Sequence, residues 1–333
     1  MADAAPPRPS PLPPGRHRTG RSGRPTEPVG PVDPPAGRHP ATHRTRARRY
    51  GLAVRIDIGD GVRLYVDVDG PGLVPDGPTM VERPTVVLLH GGPGLDHSSY
   101  KARTAIDLTD VAQVVFYDHR GHGRSDRRAP DEWRLDVWAD DIVRLCDALE
   151  IEQPYVVGAS FGGIVAQRYL ARHPGHAAGV VLACTTPRFD VDVMVATFER
   201  VGGRAAADAA RDFWTLGPEA LGPYLEHCMP LYSVDPGDPE AVGRIVMNLE
   251  LLAHFQSGEQ TTLDLAPSLA TATGRVLVLG GDLDPVCPVE MSEEIVAALK
   301  GADVTFERAS GASHNDVIPR CEAAIRRFVT GVE

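Results

Sequence analysis

One serine stands out because of the residues around it. Residues 158–162 read Gly-Ala-Ser-Phe-Gly, after the apolar run 154–157 and before a stretch with helical spacing at 164–171. A Gly-x-Ser-x-Gly between a strand and a helix is typical of a nucleophile elbow, a sharp turn that exposes the serine hydroxyl at the strand's carboxyl end. We therefore predict that Ser160 is a catalytic nucleophile.

A serine hydroxyl is a poor nucleophile at neutral pH, so it needs a base to take its proton and a carboxylate to orient that base. Two later loops could supply both groups. The strand-like run 275–279 is followed by Asp282 and Asp284, and the run 304–306 by a loop that contains His314. Serine, acid and histidine then follow one another in the order that the elbow leads us to expect. We predict Asp284 as the acid, His314 as the base, and Asp282 as a turn residue.

A glycine-rich loop follows the strand-like run 85–89 and reads His-Gly-Gly-Pro-Gly at 90–94. In acyl transfer, negative charge develops on a carbonyl oxygen, and each preorganised backbone N–H stabilises it by about 3–4 kcal/mol. Pro93 has no N–H. We predict that the donors to this oxyanion are Gly92 and Phe161, the residue after the serine.

These motifs, together with Asp-His-Arg-Gly-His-Gly-Arg-Ser at 118–125, resemble the prolyl aminopeptidase (proline iminopeptidase) group of α/β-hydrolases, from about residue 52 to the C-terminus. The resemblance implies the catalytic set Ser160, Asp284 and His314, with Gly92 and Phe161 as oxyanion donors. It also implies release of an N-terminal residue from small peptides or aminoacyl amides. A carboxylesterase or an enol-lactone hydrolase would use the same residues and stays an alternative, as does a ligand-binding member of the fold that does not catalyse.

Strand-like and helix-like stretches alternate through most of the chain. This alternation predicts an α/β fold, with a mainly parallel sheet flanked by helices and a ligand site beyond the carboxyl ends of the strands. The central strands are predicted at 85–89, 112–117, 154–158, 179–183, 275–279 and 304–306, after an opening hairpin within 53–68. We interpret 71–84 as a loop rich in glycine and proline.

The alternation stops in the middle of the chain, where we predict an inserted helical cap. The domains are then a tail at 1–50, a core at 51–186, the cap at 187–264 and the rest of the core at 265–333. A cap excludes water and selects the substrate.

The resemblance implies that glutamates of the cap bind the free α-ammonium of an aminopeptidase substrate. The candidates are Glu250, which stands among apolar residues, and Glu226. The alternative for each is an ordinary glutamate on the exposed side of a helix. We interpret the segment 118–125 as scaffold, held by a buried pair between Asp118 and Arg120.

Composition restricts the remaining classes. The 333 residues include five widely spaced cysteines without a Cys-x-x-Cys pair, which argues against a disulfide framework or a zinc site and favours a reducing, cytoplasmic setting. No apolar run approaches the eighteen residues of a membrane helix. We expect a small-molecule or short-peptide substrate, and no cofactor, metal, nucleic acid or membrane partner.

The first fifty residues have a different composition. They hold ten arginines and three acidic residues, a net charge of +7. Because the whole chain has a net charge of −11, residues 51–333 carry −18. Such a proline- and arginine-rich segment cannot bury enough apolar surface to offset the entropy lost on ordering, so we predict disorder. It has no apolar stretch typical of a secretory signal.

Overall fold

The computed structural model describes residues 52–102, 107–234, 240 and 242–332. The predictions made for residues 1–50 lie outside this described part.

The described residues form ten strands and ten α-helices. The strands are β1 (Leu52–Asp57), β2 (Arg63–Asp69), β3 (Leu73–Asp76), β4 (Thr79–Glu82), β5 (Thr85–Leu89), β6 (Gln113–Tyr117), β7 (Tyr155–Ala159), β8 (Gly179–Ala183), β9 (Arg275–Gly281) and β10 (Asp303–Ala309). The helices are α1 (Ser98–Ala102), α2 (Leu135–Ala148), α3 (Phe161–Arg172), α4 (Val191–Leu216), α5 (Leu221–His227), α6 (Leu249–Ser257), α7 (Ala266–Leu269), α8 (Val289–Ala298), α9 (Val317–Arg320) and α10 (Glu322–Thr330).

Eight of these strands form one sheet in the order β1-β2-β6-β5-β7-β8-β9-β10. The opening pair β1–β2 and the pair β2–β6 are antiparallel, and every later pair is parallel. The six predicted central strands and the opening hairpin are therefore confirmed. Because the central strands are parallel, their carboxyl ends meet at one edge, and the loops that follow β5, β7, β9 and β10 lie there together.

The prediction of a loop over 71–84 is wrong. Strands β3 and β4 form a separate two-stranded antiparallel hairpin, in which Val74 faces Val81. Short segments of β-forming residues lie between the glycines and prolines of this stretch, and they pair across the turn. Most of their side chains are exposed, so the hairpin shows none of the apolar alternation by which a buried strand is recognised.

The sheet is buried on both faces. In β5, Val87 and Leu89 belong to one apolar layer, with α2, α3 and α8, whereas Val86 and Leu88 belong to the other, with α9 and α10. Successive side chains of a strand point to opposite faces, so a strand covered on both sides must be apolar throughout. This explains why the central strands are such clear signals in the sequence.

The stretch predicted as a cap contains α4, α5 and α6. Buried residues of α4 and α5 form a third apolar cluster, which Leu252 of α6 joins, whereas Leu251 and Phe255 of α6 pack in the layer that contains α2 and α3. Its two ends meet. The N–H of Leu265 donates to the carbonyl oxygen of Pro187 (2.9 Å), and Arg188 and Asp264 form an isolated antiparallel bridge. A segment that leaves the core and returns at the same point has the geometry of an insertion. None of the described helices combines the length and apolar composition needed to cross a membrane.

Candidate active site

Ser160 lies on the sharp turn between β7 and α3. Its backbone has φ 54° and ψ −124°, a region that non-glycine residues rarely adopt. The turn is held from both sides, because the Ser160 N–H donates to the Ala183 carbonyl oxygen (3.0 Å) and the Thr185 hydroxyl donates to the Ser160 carbonyl oxygen (2.8 Å). The surrounding structure therefore fixes a strained conformation that presents the hydroxyl to the adjoining cavity.

The two glycines of the elbow have no room for a side chain. A Cβ on Gly158 would lie 2.4 Å from the Gly162 carbonyl oxygen, and a Cβ on Gly162 would lie 2.3 Å from the Leu89 carbonyl oxygen. Both distances are far below van der Waals contact. The glycines therefore allow α3 to start directly against β7 and β5, which is the physical content of the sequence motif.

The structure brings Asp284 and His314 into direct contact. His314 Nδ1 and Asp284 Oδ2 are 2.8 Å apart, and both side chains are buried. The other carboxylate oxygen, Oδ1, accepts the backbone N–H groups of Val286 (2.8 Å) and Cys287 (2.9 Å). The carboxylate is thus fixed in orientation, and it favours the tautomer in which His314 carries a proton on Nδ1 and leaves Nε2 as a base.

Asp282 has a different role, as the sequence predicted. Its carboxylate accepts the N–H of Gly311 (2.7 Å) and the hydroxyl of Ser310 (3.4 Å), in the turn that follows β10. It therefore supports the loop that leads to His314 without contacting the imidazole.

The predicted oxyanion donors line the same cavity as Ser160 and His314. Gly92 lies in the loop after β5, and Phe161 is the first residue of α3. The neighbouring Gly91 approaches the elbow so closely that a Cβ on it would be 3.4 Å from that of Ser160. Tyr100 lies behind this loop, where its hydroxyl donates to the Ala159 carbonyl oxygen (3.4 Å).

The predicted pair between Asp118 and Arg120 is wrong, although both residues are buried. Arg120 instead binds Asp141 through Nε (2.9 Å) and Nη2 (2.6 Å), and it also binds Glu132. Asp118 accepts the His97 backbone N–H (2.9 Å) and lies 2.6 Å from His97 Nδ1. Asp118 and Arg120 point to different sides of this turn, and each binds a partner 21 residues away in sequence.

The Asp118 contacts anchor the far end of the loop 90–97, called the oxyanion loop here after its predicted role. Burial opposes ionisation of Asp118, but the hydrogen bond and charge of His97 outweigh it and lower the pKa of this carboxyl to about 2. The carboxylate of Asp96, which is also buried, accepts hydrogen bonds from the guanidinium of Arg124 (2.5 Å) and from the hydroxyl of Ser98 (2.5 Å). These contacts support the scaffold role predicted for residues 118–125.

Three buried histidines pack against one another: His90 begins the loop after β5, and His119 and His122 belong to the loop after β6. Ring centroids are 4.4 Å apart for His90 and His119, 5.1 Å for His90 and His122, and 5.6 Å for His119 and His122. His90 is neutral in this arrangement, since Nδ1 donates to the Gly91 carbonyl oxygen (2.7 Å) and Nε2 accepts the His119 N–H (3.1 Å). Burial lowers the pKa of all three, that of His122 to about 3.

The loop that carries His314 is fastened to the cap. The Ser313 hydroxyl donates to the Leu231 carbonyl oxygen, the Asn315 amide to the Ser233 hydroxyl (3.1 Å), and the Val234 N–H to Asp316 (2.8 Å). Nothing in the sequence signals these contacts, because they join backbone and small polar groups about 80 residues apart.

Tyr232 packs edge-on against the imidazole of His314, with the ring centroids 5.1 Å apart. Its hydroxyl shares a hydrogen bond with that of Tyr224 (2.6 Å). Neither tyrosine stands in a motif that marks it in the sequence.

A cavity of about 250 Å³ lies between the sheet edge and the cap. Ser160 and His314 both line it, and most of the other lining residues are aromatic or aliphatic. The cap side is formed by Phe189, Phe213, Trp214, Tyr224, Met229 and Tyr232. Among the described residues that line the cavity there is no aspartate, glutamate, lysine or arginine.

The two cap glutamates do not reach this cavity. Glu250 is exposed in the first turn of α6, where Leu251, Leu252 and Phe255 are the buried residues. A negative charge at a helix N-terminus is favourable there without any ligand. The Glu226 side chain is 76% exposed. Both residues are therefore exposed helix glutamates, which is the alternative to the predicted role in binding a substrate ammonium.

Comparisons with known proteins bear on the fold and the family of this chain. Proline iminopeptidase PfmaB of Pestalotiopsis fici is 26% identical over 265 residues, which cover 76% of this chain and 92% of that protein. The putative carbamate hydrolase RutD of Caulobacter vibrioides is 28% identical over 259 residues, 74% of this chain and 90% of that protein.

A solved structure of proline iminopeptidase from Mycobacterium smegmatis superimposes with a TM-score of 0.63 over 84% of this chain and 98% of that one, at 19% identity, which shows a shared fold. The family model described as the alpha/beta hydrolase fold matches residues 84–320. The matched range runs from the strand before the oxyanion loop to just beyond His314, and on this evidence the chain belongs to the α/β-hydrolase fold family.

Proposed function

We propose that this α/β-hydrolase is a serine hydrolase that cleaves a small ester or amide whose acyl group is apolar and uncharged. The observation that carries the proposal is the cavity. It joins a serine on a strained elbow to a histidine held by a buried carboxylate, and its described lining is apolar apart from a few hydroxyl, amide and thiol groups.

In this proposal Ser160 Oγ attacks the substrate carbonyl carbon and passes its proton to Nε2 of His314. Asp284 stabilises the imidazolium that results, and the Gly92 and Phe161 N–H groups bind the oxyanion. Collapse of the tetrahedral intermediate expels the alcohol or amine, which takes the proton from His314. Water then attacks the acyl-enzyme by the same route and releases the acid.

The volume and lining of the cavity favour a small substrate. A cavity of roughly 150 Å³ holds benzene, so about 250 Å³ has room for one ring or a medium aliphatic chain and several further atoms. A charged group placed there without a partner would lose its hydration at a cost of several kcal/mol.

Aminopeptidase activity is the second candidate. The His-Gly-Gly-Pro-Gly loop and the similarity to proline iminopeptidase PfmaB favour it. It requires a carboxylate that binds the substrate's free ammonium, and Glu226 and Glu250 are both exposed and outside the described lining.

The test is a turnover panel with the purified full-length protein and its Ser160→Ala variant. The panel contains p-nitrophenyl esters of increasing acyl length, free-amine prolyl and alanyl anilides, and the same anilides with the amine blocked. We expect ester hydrolysis that falls at least about 10⁴-fold in Ser160→Ala. Cleavage of the free-amine anilides alone would establish the aminopeptidase instead, and turnover that survives Ser160→Ala would refute both candidates.

We also propose a cytoplasmic location. All five cysteines of the chain are buried and unpaired, as is usual where thiols are kept reduced.

A further inference from the structure

We propose that Cys287, Asp284 and His314 form a binding site for a soft divalent cation such as Zn²⁺, and that its occupation switches the enzyme off reversibly. One ligand atom from each residue can be chosen so that all three lie within 4.8 Å of one another, and all three residues are buried. The inhibitory consequence rests on the proposed function, whereas binding of the ion does not.

The three ligands are already close to the arrangement that zinc requires. Tetrahedral zinc has bonds of about 2.0–2.3 Å, which places neighbouring ligand atoms about 3.5 Å apart. The pair formed by His314 Nδ1 and Asp284 Oδ2 is slightly closer, at 2.8 Å. The Cys287 N–H donates to Asp284 (2.9 Å), so the thiol and the carboxylate belong to one tight turn. Side-chain movements of about an ångström would bring ligand atoms that are up to 4.8 Å apart to this spacing.

Charge balance favours a divalent ion at this place. A carboxylate and a thiolate together cancel the two positive charges, and neutral imidazole supplies the third bond. No other charged side chain lines the cavity in the described part of the chain, so the bound cluster would be neutral in an apolar setting. Binding releases one proton to solvent, from the Cys287 thiol, and the proton on Nδ1 of His314 moves to Nε2, so that the imidazole stays neutral.

The ion can reach this site through the cavity, because Cys287 and His314 both line it. Three protein ligands leave the fourth position open on the cavity side, where water or a substrate oxygen would bind. The ion would replace the proton that links His314 to Asp284. The imidazole would then lose the partner that stabilises its protonated form, and hydrolysis would stop.

The test uses Cd²⁺ as a spectroscopic substitute for Zn²⁺, because a cadmium–thiolate bond has a charge-transfer absorption in the ultraviolet. The full-length protein is titrated with CdCl₂ beside Cys287→Ala, Cys287→Ser and Cys184→Ala. Cys184 is the matched control, since it is also buried and lines the cavity but lies outside the three-residue cluster.

We expect one Cd²⁺ per chain, with the absorption band, in the wild type and in Cys184→Ala. Both Cys287 variants should bind Cd²⁺ at least about 100-fold more weakly. Loss of an outer-sphere partner alone weakens metal binding by about 10–100-fold, and Cys287 is a direct ligand in this proposal. Zn²⁺ should inhibit each protein in proportion to this affinity, with every variant compared to its own rate in chelator.

An equal band in the Cys287 variants, or no band in the wild type at millimolar Cd²⁺, would overturn the proposal. Thermal unfolding in chelator checks that each variant is folded, and the two Cys287 variants guard against loss of binding through misfolding of one of them. Because the absorption does not depend on turnover, the site is decided even if no substrate in the panel is hydrolysed.

Discussion

The buried histidine cluster predicts a steep loss of stability in acid, and His122 is the place to test it. In the unfolded chain a histidine takes up a proton near pH 6.5, whereas burial lowers the pKa of His122 in the folded protein to about 3. Its contribution to stability is therefore complete above pH 6.5 and is lost as the pH falls toward 3. The free energy of unfolding should decrease by about 1.4 kcal/mol per pH unit in this window.

The full shift corresponds to a loss of about 5 kcal/mol between pH 6.5 and 3, comparable with the whole stability of many proteins. At pH 5 the loss is about 2 kcal/mol. The substitution His122→Asn removes the titration, and its amide can still donate to the Arg120 carbonyl oxygen that His122 Nδ1 contacts at 3.0 Å. The smaller side chain also leaves a gap beside Trp138 and Phe161, whose rings pack against the imidazole. That packing cost should be about 1–2 kcal/mol and independent of pH.

The assay is urea unfolding followed by circular dichroism at pH 8 and pH 5. The stability deficit of His122→Asn relative to the wild type should be about 2 kcal/mol smaller at pH 5 than at pH 8, enough to remove the deficit or change its sign. His227→Asn is the matched control, because His227 is exposed in α5 and is solvated in both states. A deficit of equal size at both pH values would refute the reasoning, since it would mean that the folded protein accepts a proton at His122 as readily as the unfolded chain.

Three further predictions concern the site itself. Asp284→Asn should lower kcat about 10⁴-fold with little change in KM, because the amide favours the wrong imidazole tautomer; steady-state kinetics on an ester substrate measures it. Gly162→Ala should destabilise the fold severely, since its methyl group would meet a carbonyl oxygen of β5 at 2.3 Å, whereas Gly222→Ala, which meets open space, should leave the melting temperature almost unchanged. Asp316→Asn weakens the contact with the Val234 N–H and should reduce kcat more than it raises KM, which a full kinetic profile would resolve.

The parts of the fold and site that could be predicted from sequence are those with a local signal. The central strands are apolar on both faces, so runs such as Thr85–Leu89 are visible without knowledge of their partners. The elbow is recognisable in the sequence because both of its glycines are required by close backbone contacts. Gly158 lies against the Gly162 carbonyl oxygen, and Gly162 lies against the Leu89 carbonyl oxygen of the neighbouring strand. The order of the loops then predicts Asp284 and His314 as the partners of the serine, and the structure places their side chains 2.8 Å apart.

The parts that could not be predicted depend on contacts distant in sequence. Whether Asp118 pairs with Arg120 or with His97 is decided by the direction of side chains in a turn, which residue types do not reveal. Glu250 stands among apolar residues and so resembled a buried ligand, but the helical phase of α6 turns it to solvent and its neighbours inward.

In the proposed hydrolase, the contacts between the cap and the loop that carries His314 would link substrate choice to the chemical step. Core loops hold the predicted nucleophile, acid and oxyanion donors, whereas the cap supplies most of the aromatic side chains that line the described cavity. His314 belongs to both regions, because Ser313, Asn315 and Asp316 all bind the cap segment 231–234. In the proposed mechanism a movement of that segment would displace the base, so we expect productive geometry only while the contacts between the segment 231–234 and the loop of His314 are intact. It follows that substitutions which reshape the cap wall near Tyr232 should change kcat together with KM, whereas those on the core side of the cavity should change mainly one of them.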